Sequence, residues 1–370
     1  MFETDGLKHL PEILNELGAR KPLVVADPGV RDAGIVERVE AQLAGAGFDF
    51  HLFSEIDPNP RDQSVDQGAL RMQELGADGI VAVGGGSPID CAKAMAAVAA
   101  HGQSVRDLAG PGRLSRPVVP IVAIPTTAGT GSEVTFGAVI TDTRRNVKVS
   151  VKGPQLAPAV ALLDPSLTLS KPSDLTASTG MDALTHAVEA YTVKGANPLS
   201  DAMALHAVER IAVHLPVAVE NGNDLEARAG MLLASLVAGI AFSHADVGAV
   251  HCIAEALGGM YDLPHGVCNA VVLPAVMRYN MDYCRARYAR LASAAGIDFQ
   301  GVEDGAAAAV RWVEGLAAAV KLPRFSSFGV DPSDFPEIAA KSAENGSNPS
   351  NPRPMAAEDY VALLKEMTGS

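Results

Sequence analysis

Apolar positions in the first 165 residues fall in short β-branched runs, separated by stretches whose apolar side chains recur at helical spacing. Residues 22–26 predict a strand ending at Asp27-Pro28-Gly29, and a helix follows over about 34–44. Residues 48–53 read as a second strand, 57–60 as a loop and 64–75 as an amphipathic helix. Residues 79–83 form a third strand, apolar on both faces, which runs into Gly84-Gly85-Gly86-Ser87-Pro88-Ile89-Asp90 before an Ala-rich helix over 91–100. A further buried strand at 118–124 ends at Pro125-Thr126-Thr127-Ala128-Gly129-Thr130-Gly131-Ser132-Glu133, with more strand candidates at 138–141, 147–150 and 159–163. Strand and helix alternating at this spacing predict a parallel sheet with crossover helices.

After Asp164-Pro165 the pattern changes. From about 172 onward only helical spacing is found, over 181–191, 202–215, 225–242, 249–257, 270–281, 305–319 and 356–367. The polar stretch 345–354 reads as a loop before the last helix. Two domains are therefore expected, an α/β unit over 1–168 and an all-helical unit over 169–370.

The stretch 181–191 carries the first chemistry. Thr179-Gly180 predicts its start, and Asp182 and His186 then lie one turn apart on one face. A carboxylate and an imidazole there make half of a metal site. His251 lies on the 249–257 pattern, whose end is predicted at Gly258-Gly259, and His265 precedes the next helical run. A helix, tight loop and helix can bring both onto one ion. Three imidazoles and a carboxylate suit a divalent transition metal, and spacing alone does not choose between Fe²⁺ and Zn²⁺. The plainer reading, histidines satisfied inside a helical core, stays open at this point.

Gly84–Ser87 sits between a buried strand and a helix start. There a phosphate meets free N–H groups and the positive end of the helix dipole, while Pro88 fits the first turn. The pattern is not GxGxxG. The loop 126–133 has the same relation to its own strand, and its hydroxyls suit phosphate or ribose; a simple polar turn is the competing reading. Asp27 also ends a strand. It can accept from an adenosine ribose and repel a 2′-phosphate, or serve only as a turn aspartate.

Composition narrows the partners. A net charge of −14 argues against nucleic acid and anionic membranes. No apolar run approaches the length of a membrane span, and 1–5 lacks signal-peptide character. Cys91, Cys252, Cys268 and Cys284 form no CxxC pair, so reduced thiols in a soluble cytoplasmic protein are expected. Cys252 and Cys268 lie near the histidines and read as small core residues, a ligand role being the lesser alternative.

Taken together, 84–90 (GGGSPID), 125–135 (PTTAGTGSEVT), 180–191 (GMDALTHAVEAY), 258–270 (GGMYDLPHGVCNA) and 351–354 (NPRP) resemble the iron-containing (group III) alcohol dehydrogenases over essentially the whole chain. The resemblance implies a Rossmann-like NAD(P) domain followed by an all-α domain, the fold shared with dehydroquinate synthase. It places metal ligands on Asp182, His186, His251 and His265. Phosphate binding falls on Gly84, Gly85, Gly86 and Ser87, and Asp90 at the end of the same segment is expected among the cofactor-binding residues. Nicotinamide and ribose contacts fall on Thr126, Thr127 and Thr130, with Lys148, Leu175 and Asn59 on the cofactor side. Asp27 goes with NAD rather than NADP, and Fe²⁺ is expected before Zn²⁺. Many members carry a second histidine four residues after the ligand at His251; here that position is Glu255, expected to be catalytic as a proton relay. The implied activity is hydride transfer between NAD and a small alcohol or its aldehyde or ketone, by a homo-oligomer. The rival readings are an NAD-recycling lyase of the dehydroquinate synthase type and a non-catalytic NAD-binding protein.

Overall fold

The computed structural model describes residues 1–57 and 59–368; Pro58, within the predicted 57–60 loop, and the last two residues lie outside the described residues. The chain forms two compact units, Met1–Thr127 with Gly131–Ser170, and Ala128–Thr130 with the chain from Lys171 onward.

The first unit runs α1 (Leu10–Glu16), β1 (Pro22–Ala26), α2 (Pro28–Asp32), α3 (Ile35–Gly45), β2 (His51–Phe53), α4 (Asp62–Leu75), β3 (Gly79–Gly84), α5 (Gly86–His101), β4 (Gly110–Pro111), β5 (Ile121–Pro125), β6 (Gly137–Asp142), β7 (Val147–Lys152) and β8 (Val160–Ala161). Five strands pair in parallel in the order β2-β1-β3-β5-β8. Every residue of β1, β3 and β5 is buried, because helices cover both faces of the sheet. Leu23, Val25, Ile80, Ala82, Ile121 and Ala123 join one core, and Val24, Ala26, Val81, Val83, Val122 and Ile124 join the other. The chain reverses direction across the sheet between β1 and β3, so the carboxyl ends of these two strands flank the crevice where such folds take ligands. Asp27 follows β1, and Gly84–Ser87 follows β3.

Three expectations change. Residues 48–50 stay outside β2, 118–120 outside β5, and the last strand shrinks to two residues. The strands predicted near 138–150 do not extend the parallel sheet. They form a second sheet, β4-β7-β6, with β6 and β7 antiparallel. Burial along β6 alternates, the pattern of a strand covered on one face only.

The second unit runs α6 (Ser173–Thr192), α7 (Pro198–Glu220), α8 (Leu225–Ala245), α9 (Ala249–Tyr261), α10 (His265–Tyr279), α11 (Met281–Ala294), α12 (Gly301–Ala319), α13 (Phe335–Glu344) and α14 (Ala357–Thr368). α6 lies at its centre and is buried along almost its whole length. It begins after Pro172, not at Thr179-Gly180, so Gly180 sits mid-helix at a propensity cost of about 1 kcal/mol. Packing around the helix offsets that cost. α9 likewise runs through Gly258-Gly259 and stops where Asp262 turns left-handed. α10 starts five residues before the predicted 270, and α11 and α13 were not predicted. α7 and α8 correct one more expectation. Both are long and apolar enough by length and composition to cross a membrane, because alanine and glycine between the larger apolar residues keep charge rare without forming an unbroken run. The most apolar window of α8 is 61% buried within the protein, as in a core helix.

Arg228 ties α8 to α6, to the segment before α6 and to the turn between α7 and α8. It is 4% exposed, and its guanidinium donates to Thr176 Oγ1 at 2.6 Å, to Lys171 O at 2.9 Å and to Gly222 O at 2.8 Å. Arg228→Met keeps the stem and removes all three bonds. It is expected to cost about 3 kcal/mol, read as a shift of the urea midpoint; a loss below about 1 kcal/mol would show these bonds to be dispensable.

Candidate metal centre and dinucleotide loops

α6 presents Asp182 and His186 one turn apart, with His186 Nδ1 4.0 Å from Asp182 Oδ2. α9 lays the His251 ring against His186 with centroids 4.6 Å apart, and Phe242 of α8 stacks on the other imidazole at 4.3 Å. His265 opens α10 and places Nε2 3.8 Å from Asp182 Oδ1. Its approach depends on Gly266, where a Cβ would fall 2.6 Å from the Ser178 carbonyl oxygen. Any larger residue would lift the first turn of α10 off α6. Asp182, His186 and His251 each offer a ligand atom, all within 4.8 Å of one another. His265 stands on the more open side, its side chain 37% exposed.

Two residues missed in the sequence complete the cluster. Glu189, 4% exposed, accepts from His251 Nδ1 at 2.5 Å and from the Val250 N–H at 2.8 Å. It thereby fixes the ring and turns Nε2 toward Asp182. Its position was legible: Asp182, His186 and Glu189 sit at i, i+4 and i+7 of one helix face. Asn269 is fully buried, and its Nδ2 lies 2.7 Å from Asp182 Oδ1 and 3.1 Å from Nε2 of both His251 and His265. Three acceptors thus converge on one amide that carries two hydrogens.

The electrostatics follow from burial. Burial pushes the His186 imidazolium down to about 3, so the ring is neutral, and its Nδ1 has no hydrogen-bond partner. Burial also works against the His251 imidazolium, but the hydrogen bond and charge of Glu189, with the charges of Asp182 and Glu255, outweigh it and hold the group above its usual value. Burial opposes the Asp182 carboxylate too; His186, His265, His251 and the Asn269 bond overcome it and keep the carboxyl below its usual range. Neutral imidazole and ionised carboxylate are the forms that bind a divalent ion. The donor set, its burial and its unpartnered nitrogen all fit such an ion.

Glu255 lies one turn beyond His251 and accepts from Asn345 Nδ2 at 2.6 Å. Cys252 and Cys268 are buried, and burial drives both thiols up, Cys268 to about 12. Thiols held protonated are core residues here.

In the first unit, Gly84 has a φ of +143°, and a Cβ there would lie 2.3 Å from Pro88. Glycine is the residue that lets β3 turn into α5 at this point. Gly85 caps the helix, so the amides of Gly86 and Ser87 fall among the first-turn N–H groups that lack intrahelical acceptors. Asp27 caps α2 by accepting from Val30 N at 3.0 Å, and its other oxygen lies beside Gly84. The second loop abuts the first: Thr126 N donates to Gly84 O at 2.9 Å, and Thr127 Oγ1 lies 3.0 Å from the Cβ position of Gly85. Thr126 Oγ1 is buried without a partner. Lys148 donates to Asn59 at 2.7 Å, so these two residues, each expected on the cofactor side, lie together. Thr130 belongs to the second unit, as does Leu175, exposed on the first turn of α6. Asp90 differs from its neighbours. It is turned inward, accepting from Ser132 Oγ and from Val139 N at 2.9 Å, so its oxygens serve the protein's own loop.

The iron-containing alcohol dehydrogenase model matches residues 1–165, and the C-terminal model of the Fe-containing alcohol dehydrogenase family matches 176–368. The 1,3-propanediol dehydrogenase of Citrobacter freundii is 44% identical over 99% of this chain and 96% of its own. The NAD-dependent methanol dehydrogenase of Bacillus methanolicus is 40% identical over 97% and 95%. A crystal structure of 1,3-propanediol oxidoreductase superposes with a TM-score of 0.97 at 40% identity, covering 99% of this chain and 97% of that one.

Two outcomes are expected. Glu189→Gln removes the charge that orients His251 and should weaken divalent-metal affinity by about 10- to 100-fold, read by chelator competition on protein with an unchanged circular-dichroism spectrum; unaltered affinity would exclude that role. Burial raises Glu133 to about 7. Between about pH 4.5 and 7 the folded chain then holds a proton that the unfolded chain has lost, so this group's contribution to stability falls as pH rises. In Glu133→Gln that loss should vanish, and the melting temperature of the variant minus that of wild type should climb from pH 5 to 7.5.

Proposed function

Given that the chain belongs to the iron-containing alcohol dehydrogenase family and is an oxidoreductase acting on CH–OH groups, we propose that it oxidises a small primary alcohol or diol, and reduces the matching aldehyde, with NAD and one divalent ion held by Asp182, His186, His251 and His265. The observation that carries this reading is the convergence of Asp182 Oδ1 and the Nε2 atoms of His251 and His265 around Asn269 Nδ2. The ion, when bound, supplies Lewis-acid polarisation of the substrate oxygen, and the nicotinamide accepts or returns the hydride.

The chain's own residues do the rest. Glu189 fixes the His251 ring, and the burial that keeps His186 neutral leaves a nitrogen lone pair for the ion. Glu255, steadied by Asn345, is the group we assign to carry the substrate proton toward solvent. Gly84–Ser87 takes the pyrophosphate on first-turn amides, with Thr126, Thr127, Thr130, Lys148, Asn59 and Leu175 on the cofactor side. Asp27, beside Gly84, favours NAD, since its carboxylate would face the 2′-phosphate of NADP. Fe²⁺ is the proposed ion on family kinship, with Zn²⁺ as the alternative. A cytoplasmic homo-oligomer belongs to the same proposal, and light scattering reads the assembly. The lyase reading is not favoured, since the named relatives are dehydrogenases.

Chelator-treated protein should lose turnover of 1-propanol and 1,3-propanediol and regain it with Fe²⁺ or Zn²⁺, followed by NADH absorbance with metal analysis of the same sample. His265→Ala should lose metal and activity while keeping its helical spectrum. Full turnover by metal-free protein would end this reading.

A further inference from the structure

Lys93 is fully buried on α5, seven residues after the first residue of that helix. Its ammonium faces five oxygens: Ser132 O at 2.5 Å, Ser132 Oγ at 3.1 Å, Thr135 O at 3.1 Å, Thr135 Oγ1 at 2.8 Å and Gly137 O at 3.0 Å. All five belong to the turn that closes the second loop and starts β6. The ammonium has three hydrogens, so the turn surrounds it as an oxygen cage surrounds a monovalent cation. Asp90, one turn earlier on the same helix face, grips the same segment through Ser132 Oγ and the Val139 N–H.

No carboxylate makes a direct hydrogen bond to Lys93 among the described residues. A buried charge held this way is costly, and an apolar side chain of similar length would fill the space at less expense in solvation. What the cation supplies is geometry. The helical turn Ser132–Val134 has three residues, too few to satisfy its own carbonyls. Lys93 takes the Ser132 carbonyl of that turn and the Thr135 and Gly137 carbonyls just beyond it, and so sets the loop's far end. The near end is set where Thr126 N bonds Gly84 O. The second loop is thus fastened at both ends to the strand and helix that carry the glycine loop.

We propose that Lys93 is a positioning residue for the dinucleotide: it locks the second loop against the first and so builds the NAD cradle without touching the cofactor. The inference rests on the NAD reading above.

Lys93→Met should raise the Kd for NADH, measured by fluorescence titration, about tenfold or more. Amide exchange across 126–137 should quicken, while metal content and the KM for alcohol stay at wild-type values. A general folding defect would move all of these together. Thr135→Val removes one oxygen of the cage and keeps its shape; it should shift NADH affinity and exchange in the same direction by a smaller factor. Affinity within about twofold of wild type in folded Lys93→Met overturns the role of Lys93. Where that variant does not fold, unchanged affinity and exchange in Thr135→Val overturn it instead. Failure of wild-type protein to bind NADH is a separate result, and it sinks the cofactor reading together with this inference.

Discussion

Charge that water cannot dilute governs the helical unit. Asp182, His186, Glu189 and His251 are each at most 5% exposed, and at the effective dielectric of such sites two charges 4 Å apart interact by about 4 kcal/mol. Glu189 and His251 pair with each other. Asp182 then faces the neutral His186 imidazole, the more exposed His265 and the Asn269 amide. On the proposed reading the cluster holds more lone pairs than protons, and a divalent cation is what would balance it. That imbalance separates a metal site from a buried salt bridge, in which each charge already has its partner.

A helix that buries such groups must recover their cost elsewhere. Around the polar stripe, α6 is built from small and apolar residues; Ala177, Met181, Ala183, Leu184, Ala187, Val188 and Ala190 all join the core of the helical unit. Small side chains let neighbouring backbones come close, and Gly266 lets α10 lie against the Ser178 carbonyl. The sequence Gly-Met-Asp-Ala-Leu-Thr-His thus serves two faces of one helix, a polar one with Asp182 and His186 that we propose as chelating, and a surface smooth enough to be surrounded.

Much of this could be read from the residues alone. The parallel sheet was legible because β1, β3 and β5 are apolar at every position, and the pairing of Asp182 with His186 because helical spacing puts them on one face. The bounds of α6, α9 and α10 were not, since Gly180 and Gly258-Gly259 carry stop signals that tertiary packing overrides. Asp90 was misjudged by its place in a glycine-rich motif. Only the fold shows that its side chain points away from the turn and into the second loop. Glu189 was legible by the same spacing that revealed His186, but a glutamate on a helix is ordinary and only His251, sixty-two residues away, gives it a role. Asn269 and Lys93 could not be found this way, because their partners lie in segments that the sequence separates.

The two units meet one problem in opposite ways. Each has a buried helix carrying ionisable groups about one turn apart, Asp90 and Lys93 on α5, Asp182 and His186 on α6. On α5 the cation is part of the chain. It is covalently present at every moment, so the turn it organises is ready before any ligand arrives, and its donors are used up by the protein's own oxygens. On α6 the cluster provides anion and lone pairs with no lysine or arginine bonded to it among the described residues, so on the proposed reading the charge that completes it is one that can be exchanged. A resident ammonium cannot polarise a substrate oxygen while its hydrogens are committed, whereas a divalent ion held by Asp182 and the histidines would supply that polarisation. On the proposed reading, the placement of Lys93 in the loop support and of histidines at Asp182 follows from that difference: one cluster has to stay fixed, and the other has to leave room for substrate.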